Sequence, residues 1–358
     1  MKKTLSLLTA ALLLIAVAAL PACAPKAEVP QELSFFAMDT YMTLKVYRGE
    51  RTENEADAAL SAAKDEIQRI EKLMSVTDES SEIAALNRGE VLENASADLV
   101  RLLNIAAELY EKTDGAYDVT VYPLMLAWGF TTEQGPAVPS ADSIREALEE
   151  IDGAAVTVTE NGVGGYRVST GGKRLDLGSI AKGYAAKRAA DIIIESGFES
   201  GLLILGGNVQ TFGKKPNGSG FNIGIADPTA PERAITTIST DTLDRIFRKS
   251  GTDENTETRG SSPSSYAIVT SGTYQRYFNE NGTTYHHIMD VKSGYPCNNG
   301  LASVTVICPD GAMADGLSTA LFSIGYDKAM DYYRDHGGFE AIFIKDTGEI
   351  LRTDGIAD

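Results

Sequence analysis

Apolar and polar side chains alternate through YMTLKVY at 41–47, and this two-residue period predicts a strand after a short irregular start from residue 34. The period then lengthens. Residues 54–73 carry Ala58, Ile67, Ile70 and Leu73 at helical spacing, and a second helix is predicted over 96–112 with Ser96 opening it. A small helix near 140–150 and a hairpin over 154–170 around NGVGG follow. In LDLGSIAKGYAAKRAADIIIESGF, residues 175–198, the pattern predicts a strand, a tight turn and a helix, with Ser179 as N-cap and Gly197 as the stop. GLLILGGNVQTFG reads as one buried strand running into a glycine pair. Strands are predicted at 221–226, in AIVTSG, in YHHIMDVKSG where it enters a turn, and in LASVTVIC. DGAMADGLSTALFSIG is a helix, and AIFIKDTGEILRT is a hairpin on a DTG turn. Strands and helices alternate without a regular βα period, which predicts an α+β fold rather than a doubly wound sheet.

The N-terminus has a different pattern. Lys2 and Lys3 precede an apolar and small-residue run from Leu5 to Leu20 that ends in LPAC, the layout of an export signal too short for a comfortable membrane span. Cys23 after a small residue looks like a bacterial lipobox, predicting cleavage before it and lipidation of its thiol; a plain signal peptide or an uncleaved anchor is the alternative. The expected organisation is therefore a lipoprotein signal at 1–23, a tether at 24–33 and one domain from 34 to 358. That places the protein outside the cytoplasm, anchored to the cell membrane. Within the domain, 248–265 is polar and predicted to be a mobile insertion.

A formal charge of −18 argues against nucleic acid or an anionic lipid surface as partner. With only Cys297 and Cys308 beyond Cys23, no disulfide framework holds the domain together, and Cys308 at the end of SVTVIC reads as a small buried hydrophobe.

Candidate chemistry is sparse. Exposed N–H groups at the helix start after Gly178, with Lys182 three residues in, suit a phosphate. Asp315 and Thr319 lie four apart, so a helix sets their oxygens one turn apart. That is either half of a hard-cation site, suited to Mg²⁺, or a dipole-favoured carboxylate beside a Thr bonded to backbone. His286 and His287 alternate across a strand, so at most one enters a cleft and serves as a base; the other reading is two ordinary imidazoles. The glycines of LGGNV and the TSG at 270–272 either admit a ligand close to the backbone or are ordinary turns. Tyr117 and Asp118 in TDGAYD either meet a flat ring or pack in the core. No GxGxxG, Walker-type loop or zinc spacing occurs.

Taken in order, AMDT at 37–40, the helix ending in MSV and running to SEIAALN, DGAYDVTVYPLMLAWGF, LDLGSIAKGYA, LLILGGNV, IVTSGTYQRYF, YHHIMDVKSGYP and ADGLSTALF resemble the ApbE family, the FAD:protein FMN transferases. The resemblance implies an α+β flavin-transferase fold with mixed or antiparallel sheets and flanking helices. It also implies Mg²⁺ dependence and transfer of FMN from FAD to a Thr or Ser of a partner protein, with AMP released. By the family's pattern the metal falls to the backbone carbonyl of Ser179 and the side chains of Asp315 and Thr319. FAD falls to Met38, Ala116, Tyr117, Asp118, Asp176, Lys182 and a position at or beside Ile288, while Gly206, Gly207, Asn208, Thr270, Ser271 and Gly272 line the cleft. His287 is the candidate base, with His286 as fallback. Implied partners resemble flavinylated subunits of sodium-pumping NADH:quinone oxidoreductase or RNF complexes, or extracytoplasmic FMN-binding domains. The alternatives are a Mg²⁺-dependent FAD pyrophosphatase giving FMN and AMP, and a non-catalytic flavin-binding lipoprotein. Three positions depart from the pattern: Val76 and Thr77 stand where an aromatic is common, Asp290-Val291 replaces an Asp-Pro turn, and the polar stretch at 248–265 is long.

Overall fold

The computed structural model describes residues 29–249 and 263–357. The export signal, Cys23 and the first half of the tether lie outside these residues. So does the polar stretch 248–265, apart from its two ends.

In chain order the elements are β1 (Gln31–Ala37), β2 (Thr40–Val46), α1 (Glu53–Met74), α2 (Glu82–Asn87), β3 (Leu92–Ala95), α3 (Ala97–Lys112), α4 (Tyr122–Ala127), α5 (Ala141–Glu149), β4 (Thr157–Glu160), β5 (Tyr166–Ser169), α6 (Ala181–Glu195), β6 (Gly201–Leu205), β7 (Asn208–Phe212), β8 (Asn222–Asp227), β9 (Ala230–Ser239), α7 (Thr240–Lys249), β10 (Ser265–Gly272), β11 (Tyr277–Glu280), β12 (Thr283–His286), β13 (Leu301–Cys308), α8 (Gly311–Ile324), α9 (Tyr326–His336), β14 (Glu340–Lys345) and β15 (Ile350–Arg352). Eight strands form one sheet in the order β1-β2-β6-β7-β10-β13-β14-β15, with every neighbouring pair antiparallel.

Both faces of that sheet are covered, and the two sets of alternating side chains go to different cores. Val269, Val304, Val306 and Phe343 pack under α1, α3, α6 and α8. Their neighbours Ile268, Ile307, Ile342 and Ile344 pack under the β8–β9 hairpin and α7. All eight residues of β13 are buried, which is why LASVTVIC reads as a continuous apolar run and not as an alternation. A third cluster around Trp128 joins α4 and α5 to the β11–β12 hairpin; the indole N–H donates to the Gly294 carbonyl.

Within the main sheet two predicted strands differ. The irregular start before YMTLKVY is itself a strand, β1, which begins at Gln31 inside the stretch read as tether. GLLILGGNVQTFG is not one strand but the β6–β7 hairpin, turning at its glycine pair. Cys297 and Cys308 are free and buried; burial pushes both thiols up, Cys297 to about 12.

Candidate functional site

Three chain reversals meet at one end of the sheet. β1 and β2 turn at Met38 and Asp39, with φ of 49° and 58°. Two non-glycine residues in the left-handed region are strained, and such a turn persists only where its surroundings enforce it. Here the Met38 N–H donates to the Glu71 carboxylate on α1. β6 and β7 turn at Gly206, where φ is +62° and a Cβ would stand 2.8 Å from Thr40 Oγ1. β10 ends beside them at Thr270–Gly272, and Gln275 ties back by donating Nε2–H to the Thr270 carbonyl. With the start of α6, the middle of α8 and His287, these turns enclose a cleft of about 940 Å³.

The segment leading into α6 differs from the expectation of a strand and a Ser179 cap. Residues 173–177 join no sheet. Their backbone partners lie elsewhere: Asp176 N–H donates to the Val119 carbonyl, and Leu175 exchanges hydrogen bonds with the Asn87 side chain. α6 begins after Ile180 without a side-chain cap, because the Ser179 hydroxyl is 2.9 Å from the Tyr117 hydroxyl. Gly197 does stop the helix, at φ +87°. Asp176 accepts from the Gly178 N–H, and Lys182 Nζ donates to the Gly178 carbonyl, so the tight turn holds acid and base together at the cleft wall.

α6 and α8 cross at two glycines. A Cβ on Gly183 would stand 2.0 Å from the Gly311 carbonyl, and one on Gly311 would stand 2.3 Å from the Gly183 carbonyl. This contact brings the Gly183 N–H within 2.7 Å of Asp315 Oδ2.

Asp315 and Asp176 both line the cleft, and burial raises the pKa of both. Lys182 eases both carboxylates at a distance, and Arg276 eases Asp176. Asn208 faces Asp315 closely enough to favour its charged form, yet its buried Nδ2 has no hydrogen-bond partner. Thr319 lies one turn after Asp315, on the same cleft wall. A carboxylate, a hydroxyl and an orphaned amide at one buried spot form a polar donor set of the kind that takes a hard cation and an anionic ligand. Among the described residues no three His, Cys, Asp or Glu side chains cluster around a common point.

The two histidines separate as strand alternation predicts. His286 is buried, donates Nε2–H to the Cys297 carbonyl and accepts the Ile288 N–H, so both ring nitrogens are taken. His287 lines the cleft and donates Nδ1–H to the Arg276 carbonyl, which leaves Nε2 as an acceptor. Burial, then the charges of Arg276 and Lys182, push His287 down to about 3. The free protein therefore carries it neutral.

Other anticipated residues fall on the same cleft in different ways. Tyr117 is buried with its hydroxyl on Ser179. Asp118 reaches the wall, but its carboxylate accepts from Thr120 and from the Gly153 N–H, so it works as a cap of the turn after α3. Ala116, Gly207, Thr270, Ser271 and Ile288 line the wall; Gly272 lies behind it, against the Tyr274 ring. Val76 and Thr77, where an aromatic is common, also line it. Sequence reasoning missed Glu71, Gln275 and Arg276 and the contribution of β8 through Ile223–Ala226. Arg276 stood inside the quoted IVTSGTYQRYF, where a cation between two tyrosine-type rings was the available signal. Glu71 carried none, because its role is to hold a turn 33 residues away in the chain.

The model of the ApbE family matches residues 38–343. A FAD:protein FMN transferase of Klebsiella pneumoniae is 32% identical, with 80% of this chain and 81% of that protein covered. One of Treponema pallidum is 29% identical over 89% of this chain and 85% of its own. Among solved structures, the ApbE protein of Thermotoga maritima superposes with a TM-score of 0.77 at 30% identity, covering 91% of this chain and 97% of its own. The apo flavinyl transferase ApbE of Pseudomonas stutzeri reaches 0.73 at 26%, covering 91% and 95%. The matched span runs from the Met38 turn through β14 and so takes in every wall of the cleft: this chain belongs to the ApbE family.

Proposed function

We propose that this protein transfers FMN from FAD to a threonine or serine hydroxyl of a partner protein, with Mg²⁺ bound and AMP released. The observation that carries the reading is the convergence of the buried Asp315, the part-buried Asp176, Lys182 and a neutral His287 in one cleft whose turns let a ligand approach the backbone. The acceptor oxygen attacks the phosphorus on the flavin side of the diphosphate, the bond from that phosphorus to the bridging oxygen breaks, and AMP leaves with the bridging oxygen. The acceptor's proton goes to His287 Nε2, which its Nδ1–H bond to Arg276 aims at the cleft. Asp315, Thr319 and the Ser179 carbonyl would hold Mg²⁺, whose chemistry here is to neutralise charge on the diphosphate oxygens. Lys182 adds a fixed positive charge on the same wall.

Charge balance links the steps. Burial, and after it the charges of Arg276 and Lys182, keep His287 a weak base in the free protein; a bound diphosphate offsets the two charges and raises its pKa. By NMR, the His287 ring signals should stay unprotonated from pH 8 to 5 in the free protein, and their midpoint should move upward with FAD. Titration near 6.5 without FAD would contradict the assignment.

The layout of residues 1–23 supports an extracytoplasmic, lipid-anchored location at Cys23, with the folded domain starting at Gln31 and acceptors among membrane redox proteins. The test incubates the full chain with FAD, Mg²⁺ and an FMN-binding acceptor domain, following in-gel flavin fluorescence and AMP together. Labelled acceptor with stoichiometric AMP is expected. AMP and free FMN at the same rate with or without acceptor would replace the reading with a pyrophosphatase, and no AMP would leave a flavin-binding protein.

A further inference from the structure

Behind Thr319 lies a short chain of buried hydroxyls whose direction can be settled by counting hydrogens. Ser318 Oγ is 2.8 Å from the Asp315 backbone carbonyl, which can only accept, so the single hydroxyl hydrogen of Ser318 is committed there. Ser271 Oγ is 2.7 Å from Ser318 Oγ, and since Ser318 has no hydrogen left, Ser271 donates. Thr319 Oγ1 is 3.0 Å from Ser271 Oγ, and by the same count Thr319 donates. Ser318 is fully buried, so no water substitutes for its partner, and Ser271, on the cleft wall, is only 7% exposed. The hydrogen of Thr319 is therefore turned into the protein and its lone pairs are left facing the cleft, beside the Asp315 carboxylate. A threonine facing a ligand pocket with its hydrogen withdrawn is an acceptor for cations or donors and a poor donor to phosphate oxygens.

We propose that Ser271 and Ser318 are positioning residues that orient Thr319 as a ligand for a hard divalent cation. This rests on the metal-dependent reading above and extends it to two side chains that do not touch the metal. The chain starts on the Asp315 backbone carbonyl and ends on Thr319, so one hydrogen-bonded loop fixes the residue that supplies the carboxylate and the residue that supplies the hydroxyl. Residues that orient a metal's ligands typically change its affinity by about 10- to 100-fold when removed.

The test measures Mn²⁺ binding to the full chain by the loss of the free-ion EPR signal, with and without saturating FAD, in the unaltered protein and in Ser271→Ala, Ser318→Ala and Thr319→Val. Ser271→Ala should weaken Mn²⁺ binding by about tenfold, and flavin transfer by this variant should recover as Mg²⁺ is raised. Recovery by metal is what a merely structural defect would not show. Ser318→Ala should act in the same direction and less strongly, because Ser271 then regains a free hydrogen and Thr319 can rotate. Thr319→Val should weaken binding more than either. Unchanged Mn²⁺ affinity in Ser271→Ala, beside a clear loss in Thr319→Val, overturns the orienting role and leaves the metal reading intact. Absence of Mn²⁺ binding to the unaltered protein under both conditions overturns both. Thermal melting of each variant separates these results from failure to fold.

Discussion

Asp315→Asn is expected to remove flavin transfer while leaving the protein at least as stable as before. The carboxylate is 4% exposed, and burial raises its pKa above the ordinary aspartate value. The sign of the stability effect follows from that direction. A carboxyl group with a folded pKa above its unfolded value favours the native state when protonated, and this contribution fades as pH rises from about 4 through the folded pKa. Above that folded pKa the native protein carries the whole cost of a buried charge. Asparagine has nearly the same shape, can still accept the Gly183 N–H through its amide oxygen, and carries no charge to desolvate. Thermal melts in EDTA should show the variant level with or above the parent at pH 7, with the difference closing as pH falls toward 4. Activity should go the other way. Losing the Asp315 carboxylate, one turn before Thr319, removes the charge that would hold a cation against the diphosphate, and kcat/KM should fall by about 10³. A variant that melts clearly lower and still labels acceptor would make Asp315 a packing residue.

That opposition between stability and activity also marks where sequence reading reached its limit. The amphipathic helices α1 and α3 and the hairpins at 154–170 and at the C-terminus were legible from local periodicity and turn residues, and the strand LASVTVIC from a short β-branched run buried on both faces. The β1–β2 and β6–β7 hairpins were not. Met38 and Asp39 are poor hairpin-turn residues in isolation, and the turn is held by Glu71 from another element. In LGGNV the glycine pair follows the apolar run GLLIL and reads as the end of one strand, while the second strand, NVQTF, carries Asn208, Gln210 and Thr211 and so does not continue that run. For the site, residue types and order identified most of the cleft wall, but they misassigned Ser179 as a cap. Its partner, Tyr117, is 62 residues away, and no local signal reports a tertiary hydroxyl pair. The direction of the Ser318, Ser271 and Thr319 hydroxyls is likewise invisible in sequence, since it depends on a strand and a helix meeting.

Gly183→Ala should damage both the fold and flavin transfer. On helix propensity alone the change is favourable by about 1 kcal/mol, since glycine in a helix interior gives up more backbone entropy than alanine. Packing reverses the sign. The added Cβ would meet the Gly311 carbonyl oxygen at 2.0 Å and Asp315 Cβ at 2.6 Å, and neither is the movable end of a flexible side chain. α6 and α8 must separate, and α8 is bound on its other side to β10 and β13 in the main core. Overpacking of this kind costs about 1–3 kcal/mol and at times more, so a net loss of about 2 kcal/mol is expected in urea denaturation, read as a lower midpoint at unchanged slope. The second consequence is functional. Separation of the helices lengthens the Gly183 N–H bond to Asp315 and moves Lys182 away from the carboxylate, so transfer should fall further than the folded fraction does at the assay temperature. Gly348→Ala provides the contrast: its φ is +85° and no atom lies within 4 Å of the added methyl, so it should cost about 1 kcal/mol of turn strain and leave transfer unchanged. If Gly183→Ala were as mild as Gly348→Ala in both measurements, the two helices could not be held at glycine contact, and the cleft would need another account of how Asp315 meets the start of α6.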